Sequence, residues 1–161
     1  MSSFQFKQFS IAQNNTAMKV GTDGVLLGCW SATREGNILD IGTGTGLIAI
    51  ILAQRTTTAL IDAVEVETEA YQQATENINA CSWYERITPH NLSIQNFKTT
   101  TQYDLIISNP PFFVDSTKAA GTERNTARHT DNLSFADLVL SVVRLLSTEG
   151  IFSIILPINE A

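Results

Sequence analysis

The chain has 161 residues, of which 43% are hydrophobic and 16% are charged, so it can form one domain with a buried core and is too apolar for an intrinsically disordered protein. The 16 acidic residues outnumber the 10 basic ones, and the net charge of −6 excludes binding of nucleic acid by bulk positive charge. No apolar run reaches the roughly 18 residues that span a bilayer, and the two cysteines match no metal spacing. We therefore expect a cytoplasmic monomer that binds neither a membrane nor a metal.

Residues 1–22 differ in pattern from the rest of the chain. They are mostly polar, with Phe4, Phe6 and Phe9 scattered among them. This pattern predicts an extended arm or a hairpin, followed by a single domain over residues 23–161.

Beyond this arm, short runs rich in Ile, Val and Leu alternate with longer segments of helical periodicity. Buried strands are predicted at 38–41, 60–66, around Ile87, at 104–108 and at 151–156, and helices at 46–55, 68–80 and 134–147. Thr68 begins the second of these helices, Ser134 caps the third, and Gly150 is expected to end it. Alternating strands and helices predict a mostly parallel, doubly wound α/β sheet. Because the chain ends just after the fifth strand, we expect that further strands are missing and that the domain is truncated at its carboxyl end.

A glycine-rich loop at residues 40–46 (Asp-Ile-Gly-Thr-Gly-Thr-Gly) connects the first of these strands to its helix. Glycines allow a sharp turn and a close approach of a ligand, and the following helix offers unpaired N–H groups. Glu65 ends the next strand, at the distance from which an acidic residue reaches a ribose diol. These features predict a nucleoside-cofactor site. They fit a dinucleotide (Gly44, Gly46, Ala49) and S-adenosyl-L-methionine (Asp40, Gly42, Gly44, Gly46) equally well.

Residues 109–112 (Asn-Pro-Pro-Phe) follow the strand at 104–108 and distinguish these two cofactors. Prolines cannot donate to a sheet, so the strand ends here, and Pro111 fixes the direction of the Pro110 carbonyl. The oxygens of Asn109 and Pro110, beside the Phe112 ring, are suited to accept hydrogen bonds from a planar –NH₂ group. These bonds would make the nitrogen lone pair available for attack on a sulfonium methyl group. A dehydrogenase has no use for this tetrapeptide, so the sequence favours S-adenosylmethionine.

With these motifs, the chain resembles the class I amino-methyltransferases that act on adenine N6. Residues 6–9 (Phe-Lys-Gln-Phe), 17–28 and 127–129 (Ala-Arg-His) are similar to a narrower family, the bacterial tRNA(Val) adenine N6-methyltransferases, which modify the adenine 3′ of the anticodon. The resemblance runs along nearly the whole chain. It implies a Rossmann-like methyltransferase fold with strand order 3-2-1-4-5 and a tRNA substrate.

The resemblance also implies a role for each matching residue. Around the cofactor, Gly42, Gly44 and Gly46 would line its methionine and ribose, Asp40 would lie near its amino group, and Glu65 would bind the ribose hydroxyls. Asn91 stands where such enzymes often have an Asp at the cofactor's adenine amine, and Thr22 and Asp23 would close over the methionine end. The target base would be held by Asn109, Pro110, Pro111 and Phe112, of which Asn109, Pro110 and Phe112 would be catalytic, and Asn109 would also contact the cofactor.

A polar loop of about 20 residues follows this tetrapeptide, at residues 113–132. Its basic residues could contact tRNA phosphates where the acidic body cannot, or the loop could simply be solvated, since acidic residues dilute its charge. These residues are Lys118, Arg124, Arg128 and His129.

Four other functions stay open at this point. An amide of a protein glutamine or N2 of a ribosomal RNA guanine presents a similar –NH₂ group. From other classes, an NAD-dependent oxidoreductase would need a hydride-transfer residue that the sequence does not offer, and a non-catalytic scaffold would bind the cofactor without turnover.

Overall fold

A computed structural model describes residues 3–14, 19–110 and 133–156 of the chain. In chain order, the elements are β1 (Ser3–Gln5), β2 (Ser10–Ala12), α1 (Thr22–Trp30), β3 (Asn37–Ile41), α2 (Leu47–Arg55), β4 (Leu60–Glu65), α3 (Thr68–Ala80), β5 (Ile87–Asn91), β6 (Tyr103–Ser108), α4 (Phe135–Leu145) and β7 (Leu146–Ile154). Short 3₁₀ turns precede and follow β5, at Tyr84–Arg86 and Ile94–Asn96. No helix in these three described ranges is long and apolar enough to cross a membrane.

The main sheet has five strands in the order β5-β4-β3-β6-β7, and all four pairings are parallel. When the β1–β2 hairpin is left out and β3 is counted as the first strand, this order is 3-2-1-4-5. The predicted strand order is therefore confirmed. Ile41 of β3 lies opposite Val64 of β4 and Ser108 of β6. The carboxyl ends of these three strands therefore meet at one edge, where open α/β sheets place their ligands.

Both faces of the sheet are covered, as the near-continuous apolar strands predicted. Ile38 faces the layer of α2 and α3, whereas its neighbour Leu39 faces the layer of α4. This alternation along β3 divides the core into two layers and makes the sheet doubly wound.

The predicted start and end of α3 and the predicted cap of α4 are confirmed, whereas the predicted end of α4 at residue 147 is wrong. Helix α3 begins at Thr68 and ends at Ala80, and the Ser134 hydroxyl caps α4 by accepting a hydrogen bond from the Asp137 N–H at 3.1 Å. Gly150, however, lies inside β7, because α4 already ends at Leu145.

The need for glycine at position 150 comes from an irregularity in the pairing of β7 with β6. Tyr103 lies opposite Leu146, yet Leu105 lies opposite Ile151, so the residues between them bulge out of register. A Cβ at Gly150 would lie 2.8 Å from the Tyr103 carbonyl oxygen and 2.7 Å from a Leu146 methyl carbon. Glycine is needed here because the bulged strand β7 approaches β6 closely, and not because a helix must end.

The amino-terminal segment forms a hairpin of β1 and β2, one of the two predicted forms. The rings of Phe6 and Phe9 stack with centroids 4.5 Å apart, and Phe9 and Ile11 are buried in the core. Helix α1 begins at Thr22, beside the predicted boundary between residues 22 and 23, and the division of the chain there stays a prediction.

A polar cluster crosses the sheet on the α4 side. The Asp62 carboxylate on β4 lies 2.6 Å from Nε2 of His90 and accepts a hydrogen bond of 2.6 Å from the hydroxyl of the buried Tyr103. Burial raises the pKa of Asp62, but the hydrogen bonds from His90 and Tyr103 outweigh it, and the pKa is lowered. Because folding lowers the pKa of Asp62, its ionised carboxylate stabilises the fold at pH values above the ordinary pKa of aspartate. This stabilisation is lost as the pH falls through the pKa of Asp62 in the folded state.

We expect Tyr103→Phe to lower the free energy of unfolding by about 1–3 kcal/mol at neutral pH, because one Asp62 oxygen loses its donor. The loss should shrink in acid, where Asp62 is protonated in both proteins. Urea unfolding across this pH range measures it, with Tyr84→Phe at an exposed tyrosine as the control. A loss that stays constant with pH would contradict this role for the Asp62 charge.

Candidate active site

The glycine loop leads from β3 into α2 at the carboxyl edge of the sheet. Gly42, Gly44 and Gly46 have φ angles of 72°, 58° and 80°, all in the left-handed region that favours glycine. The N–H groups of Gly42 and Thr43 donate to the Val64 carbonyl, which holds the start of the loop against β4. In the part of the chain that the structure describes, no atom beyond the adjoining loop residues lies within 4 Å of the Cβ position at Gly42 or Gly44. The loop backbone is thus accessible at both positions, as close approach of a ligand requires.

Glu65 ends β4 beside this loop. One carboxylate oxygen accepts a hydrogen bond of 2.9 Å from the Gly44 N–H, and the other accepts one of 3.0 Å from the Glu67 N–H. The side chain is buried, so these bonds fix its position against the loop. Its predicted contact with ribose hydroxyls remains a prediction.

Asp40 lies beneath the loop with none of its surface exposed. Its Oδ2 atom accepts a hydrogen bond of 2.6 Å from the Thr43 hydroxyl, whereas Oδ1 has no hydrogen-bond partner in the described part of the chain. Burial raises the pKa of this carboxyl to about 7, although the Thr43 bond lowers it. A buried acceptor without a donor is costly, and a cationic group of a bound cofactor would fit it.

Asn91 ends β5, next to Glu65 on β4. Its amide nitrogen donates to the carbonyls of Glu65 and Val66, and its amide oxygen accepts from the Thr68 hydroxyl at 3.2 Å. The side chain therefore ties β5 to the junction of β4 and α3. The predicted bond to a cofactor adenine would use the second lone pair of this oxygen.

Asn109 follows β6 at the same edge of the sheet. The hydroxyl of the preceding Ser108 donates to the Ile41 carbonyl at 2.9 Å, which ties the end of β6 to the start of the glycine loop. A Cβ at Gly24 would lie 3.8 Å from the Asn109 amide nitrogen and 3.4 Å from a Leu47 methyl carbon. Asn109, the first turn of α1 and the start of α2 are thus neighbours.

The other predicted site residues divide between the described and the remaining parts of the chain. Thr22 and Asp23 are exposed in the first turn of α1, the turn that also contains Gly24, and Pro110 is buried. Six predicted substrate residues lie outside the described residues: Pro111, Phe112, Lys118, Arg124, Arg128 and His129. Among the described residues, no group of three or more His, Cys, Asp or Glu side chains could hold a metal ion.

One residue that contacts the site was not expected from the sequence, Asn77 on α3, and neither was the burial of Gln73 one turn before it. Both are buried, and Asn77 donates to the Thr45 carbonyl in the glycine loop. The pattern of an amphipathic helix gave no signal for them, because it assigns amide side chains to the solvent face.

Comparisons with known proteins agree with this geometry. Residues 14–134 match the family described as Methyltransferase small domain. A protein of Phocaeicola vulgatus, named tRNA1(Val) (adenine(37)-N6)-methyltransferase, is 51% identical over 155 residues, which cover 96% of this chain and 66% of that protein. A protein of the same name from Parabacteroides distasonis is 49% identical, covering 98% of this chain and 67% of its own length. The chain thus spans about two thirds of these relatives.

Solved structures share the fold at low sequence identity. The structure of a SAM-dependent methyltransferase from Geobacter sulfurreducens, in complex with S-adenosyl-L-homocysteine, superposes with a TM-score of 0.60 at 13% identity, covering 84% of this chain and 47% of that one. The predicted Rossmann-like methyltransferase fold is confirmed.

Proposed function

We propose that this chain transfers a methyl group from S-adenosylmethionine to N6 of an adenine in tRNA, because it belongs to the methyltransferase small domain family. Together with its relatives of about 50% identity, it also belongs to the tRNA1(Val) (adenine(37)-N6)-methyltransferases. The adenine would be the one 3′ of the anticodon of tRNA(Val), and the reaction would take place in the cytoplasm, on the pool of tRNA. The observation that carries this proposal is the position of Asn109 beside the glycine loop, where the Ser108 hydroxyl bonds to the Ile41 carbonyl.

The cofactor would bind along the glycine loop. S-adenosylmethionine supplies an electrophilic methyl group on a positively charged sulfur. Among the described residues, none blocks the loop backbone at Gly42 or Gly44, and Glu65, held against the loop by the Gly44 N–H, would accept hydrogen bonds from the ribose hydroxyls. Asn91 stands beyond Glu65 for the adenine, and at the opposite end Asp40 would meet the cofactor's amino group. Thr22 and Asp23 would cover that end from α1.

The target amine would be held by Asn109 and Pro110. The Asn109 side-chain oxygen and the Pro110 carbonyl would each accept one N–H bond of the adenine amino group. This draws its nitrogen toward a pyramidal shape and frees the lone pair for attack. Pro111 would keep the Pro110 carbonyl in place, and Phe112 would stack on a base turned out of its strand. No general base is needed before the transfer, because the proton can leave once the nitrogen carries the methyl group.

The basic residues of the 113–132 loop are proposed to contact the tRNA backbone. In support, three arginines of the described part are already engaged with backbone carbonyls. Arg55 donates to Gly28 and Ser31, Arg86 to Ala53, Thr56 and Ala59, and Arg144 to Ile94 and Phe97. Lys118, Arg124 and Arg128, with His129, would add basic side chains for phosphate contacts close to Phe112 in sequence, in addition to the exposed Lys7, Lys19, Arg34 and Lys98 of the described part.

The proposal is tested with methyl-labelled S-adenosylmethionine and unmodified tRNA(Val) transcript, followed by nucleoside mass spectrometry. We expect the label in N6-methyladenosine, and a transcript with guanine in place of the target adenine serves as the control. Parallel reactions supply ribosomal RNA or protein in place of the transcript, and label in N2-methylguanosine or in a protein glutamine there, with none in the transcript, would overturn the choice of substrate. Tight binding without any methyl transfer would favour a scaffold.

The raised pKa of Asp40 predicts a pH dependence of cofactor binding. A carboxyl with a pKa of about 7 is mostly neutral at about pH 6 and mostly ionised at about pH 8, and only the ionised form attracts a cationic amino group. We expect S-adenosylhomocysteine to bind about tenfold more tightly at the higher pH. Asp40→Asn should remove most of this dependence. Calorimetry at both pH values measures it, and an equal dependence in the variant would contradict the role of Asp40.

A further inference from the structure

Helix α3 carries two buried amide side chains one turn apart. Gln73 is 1% exposed and Asn77 is 4% exposed. A buried amide is costly unless its hydrogen-bonding groups are satisfied, so the partners of these two side chains indicate why they are buried.

The Asn77 amide joins two segments that are far apart in sequence. Its oxygen accepts a hydrogen bond of 2.8 Å from the Ala12 N–H, and its nitrogen donates to the Ala12 carbonyl at 2.9 Å. The same nitrogen donates to the Thr45 carbonyl, also at 2.9 Å. Asn77 therefore pairs with β2 as a neighbouring strand would, and at the same time holds the glycine loop.

The end of the glycine loop packs directly on the same face of α3. A Cβ at Gly46 would lie 3.4 Å from an Ile78 carbon and 3.5 Å from the Ala74 carbonyl oxygen. The end of the loop is therefore in close contact with α3, and Asn77 binds the carbonyl that precedes this contact.

The hairpin is held along α3 at a second point. The Gln73 side-chain oxygen accepts a hydrogen bond of 3.1 Å from the Asn14 N–H, two residues after the Ala12 contact. Further along, the Val20 N–H donates to the Gln13 side-chain oxygen at 2.8 Å, shortly before α1 begins at Thr22. Through these hydrogen bonds, α3 holds both the glycine loop and the hairpin, and the hairpin in turn holds the segment that leads into the first turn of α1.

We propose that Asn77 is a positioning residue that couples docking of the amino-terminal hairpin to binding of the cofactor. The inference rests on the proposed function, because it takes the glycine loop as the site of S-adenosylmethionine. Without the amide, the Thr45 carbonyl and both Ala12 backbone groups lose a buried partner, and the loop is no longer held in its binding conformation. Coupling is reciprocal, so the cofactor must stabilise the docked hairpin by the same factor by which the docked hairpin favours the cofactor.

Calorimetry with S-adenosylhomocysteine on the full chain tests the first half of this coupling. We expect Asn77→Ala to raise Kd by about tenfold and the KM for S-adenosylmethionine similarly, with kcat at saturation changed by less than about twofold. Gln73→Ala, which loosens the hairpin without touching the loop, should raise Kd by a smaller factor. Asn79→Ala, at an exposed position of the same helix, should match the wild type. A folded Asn77→Ala protein with wild-type Kd would overturn the proposal.

Hydrogen exchange tests the second half, first on the wild-type protein and then on Asn77→Ala. We expect S-adenosylhomocysteine to slow exchange of the Ala12 and Asn14 amides, and Asn77→Ala to abolish this effect. Binding that leaves these amides unchanged would overturn the coupling and leave the proposed function intact. A wild-type chain that does not bind S-adenosylhomocysteine would overturn both, whereas binding with coupling but no methylation of tRNA would overturn the proposed substrate alone.

Discussion

Replacing Asn109 by alanine is expected to lower kcat for tRNA methylation on the order of a hundredfold to a thousandfold, the loss that follows removal of one polar group from a charge-stabilising site. The side-chain oxygen accepts an N–H bond that matters most as the amine becomes pyramidal, so its loss should affect the transition state more than the bound cofactor. The Kd of S-adenosylhomocysteine should therefore stay within about threefold of the wild-type value. Single-turnover kinetics and calorimetry measure the two quantities.

The matched control for this prediction is Asn96→Ala, an exposed asparagine in the 3₁₀ turn after β5. It should keep wild-type kcat. Asn109→Asp retains an acceptor but adds a charge, and its activity should fall between those of the wild type and the alanine variant. Wild-type turnover by Asn109→Ala would remove the basis for methyl transfer to an amino nitrogen at this position.

Replacing Gly44 by valine is expected to weaken binding of S-adenosylhomocysteine by more than about a hundredfold. Two effects add. A φ of 58° is strained for a β-branched residue, at a cost of about 1–2 kcal/mol. In addition, no atom of the described residues beyond the adjoining loop lies within 4 Å of its Cβ position, so the added methyl groups would extend into the space where the cofactor is proposed to approach the loop. Calorimetry measures the loss, and a thermal melt shows that the variant is folded.

Gly21→Ala is the control for the glycine loop. Gly21 precedes α1 with a φ of −116°, and among the described residues the Lys19 carbonyl oxygen, at 3.8 Å, is the one atom near its Cβ position. Alanine fits there without strain, so cofactor affinity should be unchanged. Gly44→Ala, which adds one methyl group in the same backbone conformation, should lie between this control and Gly44→Val. A folded Gly44→Val protein with wild-type affinity would show that the cofactor binds elsewhere.

Much of the fold could be predicted from local patterns. The apolar strands and the helical period place α3 at its observed bounds, and the order of the five strands follows from the family resemblance. Gly150 was misplaced because residues 146–149 continue a plausible helical pattern. Only the pairing of β7 with β6 shows that the chain has already turned into a strand, where glycine is needed for close approach to Tyr103.

Site residues could be predicted from the sequence where the chemistry requires a particular residue type at the end of a strand. Residues whose role depends on packing between distant segments could not. Asp40, Glu65 and Asn109 stand at the ends of strands, so their shared edge can be inferred from the order of elements. The partners of Asn77 are 65 and 32 residues away, and no local pattern pairs a helical amide with Ala12 and Thr45. The hydrogen bonds of Asn91 to Glu65, Val66 and Thr68 likewise depend on the register of β4 with β5.

A crystal structure of the chain with S-adenosylhomocysteine is the most direct test of the central claim that the oxygens of Asn109 and Pro110 hold an amine in front of the cofactor's reactive carbon. We predict that the ligand lies along the glycine loop, with its sulfur facing the Asn109 side chain across a gap that a methyl group and an amino nitrogen would fill. A ligand whose sulfur points away from Asn109, or one that binds away from residues 40–46, would contradict it.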